Sequence, residues 1–306
     1  MSPVQTLFTL GIALMVPMLF AALGELIIEK SGVLNVGIEG VLLIGAFGAA
    51  VGVNYGDGSI WIGLLVALGA GLVCGIVLAL LYVRLGTDQI VTGILFNILA
   101  FGLTTTLAAK YVHASQSAHF PDWKIPLLHD IPGIGNVLFD QDLLVYTSVV
   151  VALLAFYLTR RTWFGLYARA ASEFPSAAES AGLNVWRLRY VAVIIGCVLT
   201  AVGGAELFAN SGGFVAGYTN GRGFIALAIV VLPRWNPLVV VAASLLFGVA
   251  QALQFEADKL GFLSDFPPHV LIALPYILVL AAVVFARGSR YPAAVGIPFR
   301  PTRSST

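Results

Sequence analysis

The sequence predicts an all-α, polytopic membrane protein: a helical bundle of about nine transmembrane helices, within a range of about eight to ten, and one broken or re-entrant segment. Three observations carry this prediction. The 306 residues are 59% hydrophobic and only 10% charged, with a mean hydropathy of +0.96, whereas soluble domains run at roughly 45–50% apolar and about 25% charged residues. Apolar runs near the ~20 residues needed to cross a ~30 Å hydrocarbon core recur along the whole chain. Basic and acidic residues sort onto alternate connections between those runs.

Taken in order, the expected spans are 4–28, 38–53, 60–83, 90–112, 143–159, 190–208, 214–232, 237–255 and 270–286. The first basic residue, Lys30, follows the first run instead of preceding it, so that run is read as a retained helix and not a cleavable signal. Run 38–53 is short, and run 214–232 opens on glycines and polar residues. Lys and Arg are retained on the cytoplasmic side. Placing 160–189 inside gathers Lys30, Arg84, Arg160, Arg161, Arg169, Arg187, Arg189, Arg234, Arg287, Arg290, Arg300 and Arg303 there. It leaves Lys110, Lys124, Arg222 and Lys259 outside, with Asp57, Asp122, Asp130, Asp140, Asp142, Glu256, Asp258 and Asp265. The N-terminus is then outside and the C-terminus inside.

The outer loop 113–141, with Pro121, Pro126, Pro132, Gly133 and Gly135, is expected to be an ordered but irregular cap. The inner loop 160–189 contains an Ala-, Ser- and Glu-rich stretch at 168–182, which favours a short helix outside the membrane. Residues 1–290 read as a single transmembrane domain and 291–306 as a mobile cytoplasmic tail.

Between helices in lipid, small residues allow close approach, and Gly48…Gly52 and Gly71…Gly75 fit that pattern. Polar groups inside apolar runs are costly and should face a cavity, a partner or backbone carbonyls. Glu25 and Glu29 are expected to cap or ion-pair the end of the first helix beside Lys30. Asn35, Glu39, Asn97, Glu206, Asn210 and Gln251 are the candidates for lining a translocation pathway, against interhelical hydrogen bonding as the plainer role for Asn97. Two stretches break helical form beside apolar runs: 31–40, and the glycine-rich 211–222.

Several functions are excluded. No G-x-x-x-x-G-K-S/T occurs, since no lysine follows a glycine, so the chain cannot cradle ATP phosphates with a P-loop. His113, His119, His129 and His269 have no zinc-site spacing, and no nucleophile elbow is present. Catalytic residues, cofactors and metals are therefore not expected. Cys74 and Cys197 sit in apolar runs as small buried hydrophobes. A net charge of +1 without a basic run leaves no surface for nucleic acid.

The residues also carry a resemblance. Glu29-Lys-Ser-Gly-Val-Leu-Asn-Val-Gly-Ile-Glu-Gly40 resembles the E-K/R-S-G-V-x-N-x-G-x-E-G signature of permeases in the ribose and branched-chain amino acid ABC-importer family, in its nucleoside and simple-sugar branch. The stretch from Asp88 to Asn97 is similar to that branch's N-E-x-V-x-G-x-x-x-N, with Asp88 and Gln89 in place of Asn and Glu. The stretch from Gly221 to Ala228, followed by Arg234-Trp-Asn-Pro237, resembles its G-x-G-F/Y-x-A-I/L-A…W-x-P block. Residues 170–182 resemble G-E-N-P-x-A-A-x-x-A-G, the family's coupling helix, with Ser172 for Gly and Phe174 for Asn.

The resemblance implies that Glu173, Pro175, Ala178, Glu179 and Gly182 dock into a cytoplasmic ABC ATPase subunit. It also implies a paralogous second permease, an extracytoplasmic solute-binding protein, a bacterial inner-membrane location, and a nucleoside or related small polar solute. A simple sugar or branched-chain amino acid is the alternative cargo, and an ion-coupled secondary transporter the alternative mechanism. Few midplane charges and no evident repeat speak against the latter.

Overall fold

The first helix, α1 (Pro3–Glu29), begins on a capping box: Ser2 Oγ accepts from the Gln5 N–H at 3.3 Å, and Gln5 Oε1 accepts from the Ser2 N–H at 2.7 Å. This satisfies two N–H groups that the helix itself cannot. The computed structural model describes residues 2–112, 118–126, 128–131, 135–232, 235–260, 267–285 and 292–300. After α1 come α2 (Ile38–Tyr55), α3 (Ile60–Ala79, prolonged by a π-helical turn at Leu80–Arg84) and α4 (Gln89–Tyr111). Two short antiparallel strands, β1 (Asp122–Lys124) and β2 (Asp140–Asp142), flank α5 (Gly135–Leu138). Then follow α6 (Leu143–Arg161), α7 (Trp163–Glu173), α8 (Pro175–Ser180), α9 (Val185–Ser211), α10 (Arg222–Val231), α11 (Pro237–Glu256) and α12 (Pro268–Phe285).

Side-chain caps set several starts. Asp88 Oδ1 accepts from the Ile90 and Val91 N–H groups, both at 2.9 Å, so this departure from the family motif is itself a good N-cap for α4. Asn184 caps α9, which therefore starts at Val185 and not at the expected Tyr190; Asn236, with Pro237 in the first turn, starts α11.

Among the described residues, seven helices are long and apolar enough to cross a membrane: α1, α2, α3, α4, α6, α9 and α11. The expected span 214–232 is corrected. Glycines with positive φ at Gly212, Gly217 and Gly221, and Asn220 at φ 45°, turn the chain, and only the ten residues of α10 are helical. At 1.5 Å per residue such a helix covers about half of a bilayer core. The final apolar helix, α12, follows the expected span 270–286 closely, at Pro268–Phe285.

The bundle has a centre and a rim. In the most apolar window of α1, 78% of residues are buried inside the protein, against 22% for α4. Ile90, Ile94, Leu95, Ile98 and Leu99 of α4 stay exposed, as lipid-facing residues can. At the centre α1 crosses α9 almost backbone to backbone: a Cβ on Gly24 would lie 2.4 Å from Gly196 O. The small-residue patterns serve the same end, with a Cβ on Gly52 2.7 Å from Gly63 Cα and one on Gly75 2.8 Å from Ile194 Cα. Dispersion at such contacts drives helix association where lipid offers no hydrophobic gain.

The outer loop contains regular structure that its Pro and Gly content does not suggest: β1 and β2 pair Asp122 with Asp142 and Lys124 with Asp140, the latter also an ion pair at 3.2 Å. The tail expected to be mobile is hydrogen-bonded to the bundle through residues 292–300. His113, Pro132, Gly133, Arg234, Asp265, Arg287, Arg290 and Arg303 lie outside the described residues.

Candidate translocation and coupling sites

Three sequence motifs far apart in the chain close on one polar knot. The α1–α2 loop is held by side chains from elsewhere: Glu25 accepts from the Asn35 N–H at 2.9 Å, Tyr82 OH donates to Asn35 Oδ1 at 3.3 Å, and Gln89 Oε1 accepts from the Leu34 N–H at 2.7 Å. Asn97 donates to Val36 O at 2.9 Å and accepts from the Gly40 N–H at 2.7 Å. Glu39 accepts from the Gly221 N–H at 2.9 Å and the Gly223 N–H at 2.6 Å, so its carboxylate sits at the N-terminus of α10. A helix N-terminus presents free N–H groups and favours negative charge. The Trp235 indole N–H donates to Glu29. Glu25 and Glu29 are thus partners of Asn35 and Trp235, and not the ion-paired helix end expected beside Lys30.

The candidate pathway residues fall into three places. Asn35 is fully buried in the knot, and Asn97 is half-buried with both polar atoms bonded to the α1–α2 segment. Gln251 lines a cavity of about 330 Å³ together with Asn220, Arg222, Gln254, Phe255 and Tyr276. Arg222 Nε donates to Gln251 Oε1 at 3.2 Å, its Nη1 donates to Tyr218 O at 2.8 Å, and Tyr276 OH donates to Asn220 O at 2.9 Å. Glu206 and Asn210 lie elsewhere, in a cavity of about 270 Å³ with His119, Asp122 and Asp142. There Asn210 Nδ2 donates to Glu206 Oε1 at 3.0 Å. Burial holds the Asp142 carboxyl above the usual carboxylate range.

Sequence reasoning missed Tyr276; it ranked Gln254 with Gln251 as a weaker candidate, and it favoured the glycine-rich stretch 211–222 as pore-lining without singling out Asn220 or Arg222. Charge sidedness assigns Arg222 to an outer loop, yet it opens a half-helix in the apolar bundle. An arginine directly after a glycine-rich break was the available signal.

The 160–189 segment is two helices and not one. Phe174, at φ −137° and ψ 72°, leaves helical form because the residue before a proline is pushed out of the α region, and Pro175 then opens α8. Ala178 is buried against Ala171 and Val185. Gly182, at φ +87°, closes α8, its N–H donating to Glu179 O at 2.8 Å. Glu179 and Gly182 line a surface groove of about 340 Å³ with Trp186 and Phe299. Glu173 accepts from the Ala293 N–H at 3.4 Å. The basic residues converge at this end: Arg160 and Arg169 lie near Lys30. Burial, then those two charges, push Lys30 down to about 8.

Residues 7–286 match the family model described as branched-chain amino acid transport system / permease component. The chain is 34% identical to the guanosine ABC transporter permease protein NupQ of Bacillus subtilis, over 92% of each chain. It is 32% identical to the nucleoside ABC transporter permease protein NupC of Lactococcus lactis, over 92% of this chain and 93% of the other. It is also 32% identical to the putative glucose ABC transporter permease protein TsgC13 of Haloferax volcanii, over 88% of each. Each of these organisms has a second permease that this chain resembles less, at 24%, 25% and 29% identity.

Proposed function

The chain belongs to the permease-component family of branched-chain amino acid transport systems, and from that premise we propose that it is the translocation subunit of an ATP-binding-cassette importer for nucleosides. Cytoplasmic ATPase subunits power it, a paralogous permease completes the pathway, and an extracytoplasmic binding protein delivers the solute. The basic end carrying Lys30, Arg84, Arg160, Arg161 and Arg169 is cytoplasmic, so the N-terminus is outside and the C-terminus inside.

One observation supports the reading above others: Glu39 anchors the N-terminus of a half-helix, and Arg222 in that helix's first turn opens onto a cavity walled by amides and rings. Gln251, Gln254 and Asn220 offer donors and acceptors to a neutral polar solute, while Phe255 and Tyr276 offer flat apolar faces. Glu39, Arg222 and Gln251 are proposed to meet or position solute. Asn35 and Asn97 hold the wall in place, and Glu206 and Asn210 line a separate outer vestibule. Glu173, Pro175, Ala178, Glu179 and Gly182 are the proposed ATPase contacts. The glucose-transport name of one relative favours a simple sugar as the second reading of the cargo.

Reconstitution with the ATPase, the second permease and the binding protein tests both readings. Uptake of labelled guanosine should need ATP and exceed that of glucose and leucine; glucose outcompeting guanosine would transfer the assignment to sugars. Uptake by the chain alone, driven by a proton gradient, would refute the importer reading.

A further inference from the structure

Residues 292–300 cross the basic end of the bundle and touch three elements through four contacts. The Ala294 N–H donates to Ser172 O at 2.8 Å, at the end of α7. The Trp186 indole of α9 donates to Phe299 O at 3.4 Å. A Cβ on Gly86, between the π-helical turn and α4, would be 3.5 Å from Pro298. The fourth contact runs through Arg189, which is only 2% exposed. Its Nε donates to Ser31 O at 3.2 Å, its Nη1 donates to Ile297 O at 3.1 Å, and its guanidinium carbon stands 5.8 Å from the centre of the Phe299 ring.

Burying an arginine is costly unless its donors are used. Among the described residues Arg189 pairs with no carboxylate; what it joins is two backbone carbonyls, one in the α1–α2 loop and one in the tail. A planar fork fixes both partners at once, which a single ammonium cannot do. The far side of the tail also carries Phe299 into the groove that holds Glu179 and Gly182.

We propose that residues 292–300 form a strap, and Arg189 its positioning residue, that makes α7–α8, the start of α9 and the loop around Ser31 move as one body, so that work delivered to α8 reaches the polar knot holding Asn35 and Glu39. The strap rests on the reading of 160–189 as the coupling loop. It adds a named mechanical path from that loop to the half-helix.

The test uses the full complex in proteoliposomes, with assembly, ATP hydrolysis and uptake read together. A chain ending at residue 291 and the Arg189→Lys variant should still assemble and hydrolyse ATP, but solute moved per ATP should fall about tenfold, within the range expected of coupling free energies. A chain ending at residue 300 should behave as the parent. A 2.8 Å N···O contact brings the Ala294 and Ser172 backbones within disulfide reach. Cross-linking Ser172→Cys to Ala294→Cys should therefore leave uptake intact, because the joined parts move together; a blocked transporter would mean that the strap must release, and would overturn the proposal. Unchanged coupling in Arg189→Lys, or an effect of truncation at 300 equal to that at 291, would also overturn it. If truncation at 291 prevents assembly, the cross-link and Arg189→Lys decide. Parallel Glu179→Trp and Gly182→Leu variants separate the two readings. Uncoupling there with a silent strap rejects the strap alone, whereas full coupling in both rejects the loop assignment.

Discussion

Asn97 in α4 and Gly40 in the first turn of α2 are joined by a 2.7 Å hydrogen bond, and the same amide returns to Val36 O at 2.9 Å, so one side chain closes the stretch from residue 36 to residue 40. An apolar replacement removes both bonds and leaves the Gly40 N–H and Val36 C=O without partners, a loss of about 1–3 kcal/mol for each unsatisfied group. Asn97→Leu should lower the melting temperature in detergent and reduce uptake together. Asn97→Asp keeps the acceptor toward Gly40 and should fall between the two. Equal melting temperatures for Asn97→Leu and the parent would show that the staple contributes nothing.

Close packing in α3 gives a paired prediction within one helix. A Cβ on Gly71 would stand 2.5 Å from the Ala201 Cβ of α9, while one on Gly69 would meet nothing within 4 Å. Gly71→Ala should destabilise the bundle by about 1–3 kcal/mol through overpacking. Gly69→Ala should be neutral or mildly stabilising, because alanine forms helix better than glycine. Thermal unfolding of both variants checks this, and an equal loss in the two would contradict the assigned α3–α9 contact.

The spans were legible because hydrocarbon imposes a length, and α1, α2 and α11 end within a few residues of where an apolar count ends them. The same count fails at 214–232, because hydropathy does not register the positive φ angles at Gly217 and Gly221 that turn half of that run out of the helix. Glu39, Asn97 and Gly221 stood out as motif residues. Their convergence was not legible, since residues 39 and 221 are joined by no periodicity, only by the tertiary fold. Arg189 reads as one more basic residue near a cytoplasmic loop; that it is buried, and bridges Ser31 to Ile297, depends on a tail whose composition gives no hint of where it lies.

Lys30 gives a pH dependence. Its folded value of about 8 lies below the ordinary lysine value of 10.5, so between the two the unfolded chain holds a proton that the folded chain lacks, and stability rises with pH across that window. Below about pH 8 the folded state carries the full burden of a partly buried charge next to Arg160 and Arg169. Lys30→Met should therefore raise the melting temperature at pH 7, and its advantage should shrink as pH climbs from 8 toward 10. A pH-independent difference between variant and parent would contradict the assignment.

Glu39 offers the sharpest separation of positioning from folding. Its two oxygens accept from two N–H groups of the same helix start, Gly221 at 2.9 Å and Gly223 at 2.6 Å. Glutamine keeps the length but has one acceptor, and its amide nitrogen would set a donor against a backbone donor while losing the attraction of a negative charge for the helix N-terminus. Charge-assisted bonds contribute about 1.5–3 kcal/mol, small beside the buried contacts of α1 and α9, so Glu39→Gln should still reach the membrane and assemble with its ATPase. What should change is the orientation of α10 and hence of Arg222 at the mouth of the 330 Å³ cavity. Uptake should drop about tenfold or more for a displaced site, and a cysteine introduced at Asn220 should change its reactivity toward a water-soluble thiol reagent. Aspartate, one methylene shorter, cannot span both N–H groups and should rescue only in part. Parent-level uptake by Glu39→Gln with unaltered labelling at position 220 would show that this carboxylate does not hold α10 in place.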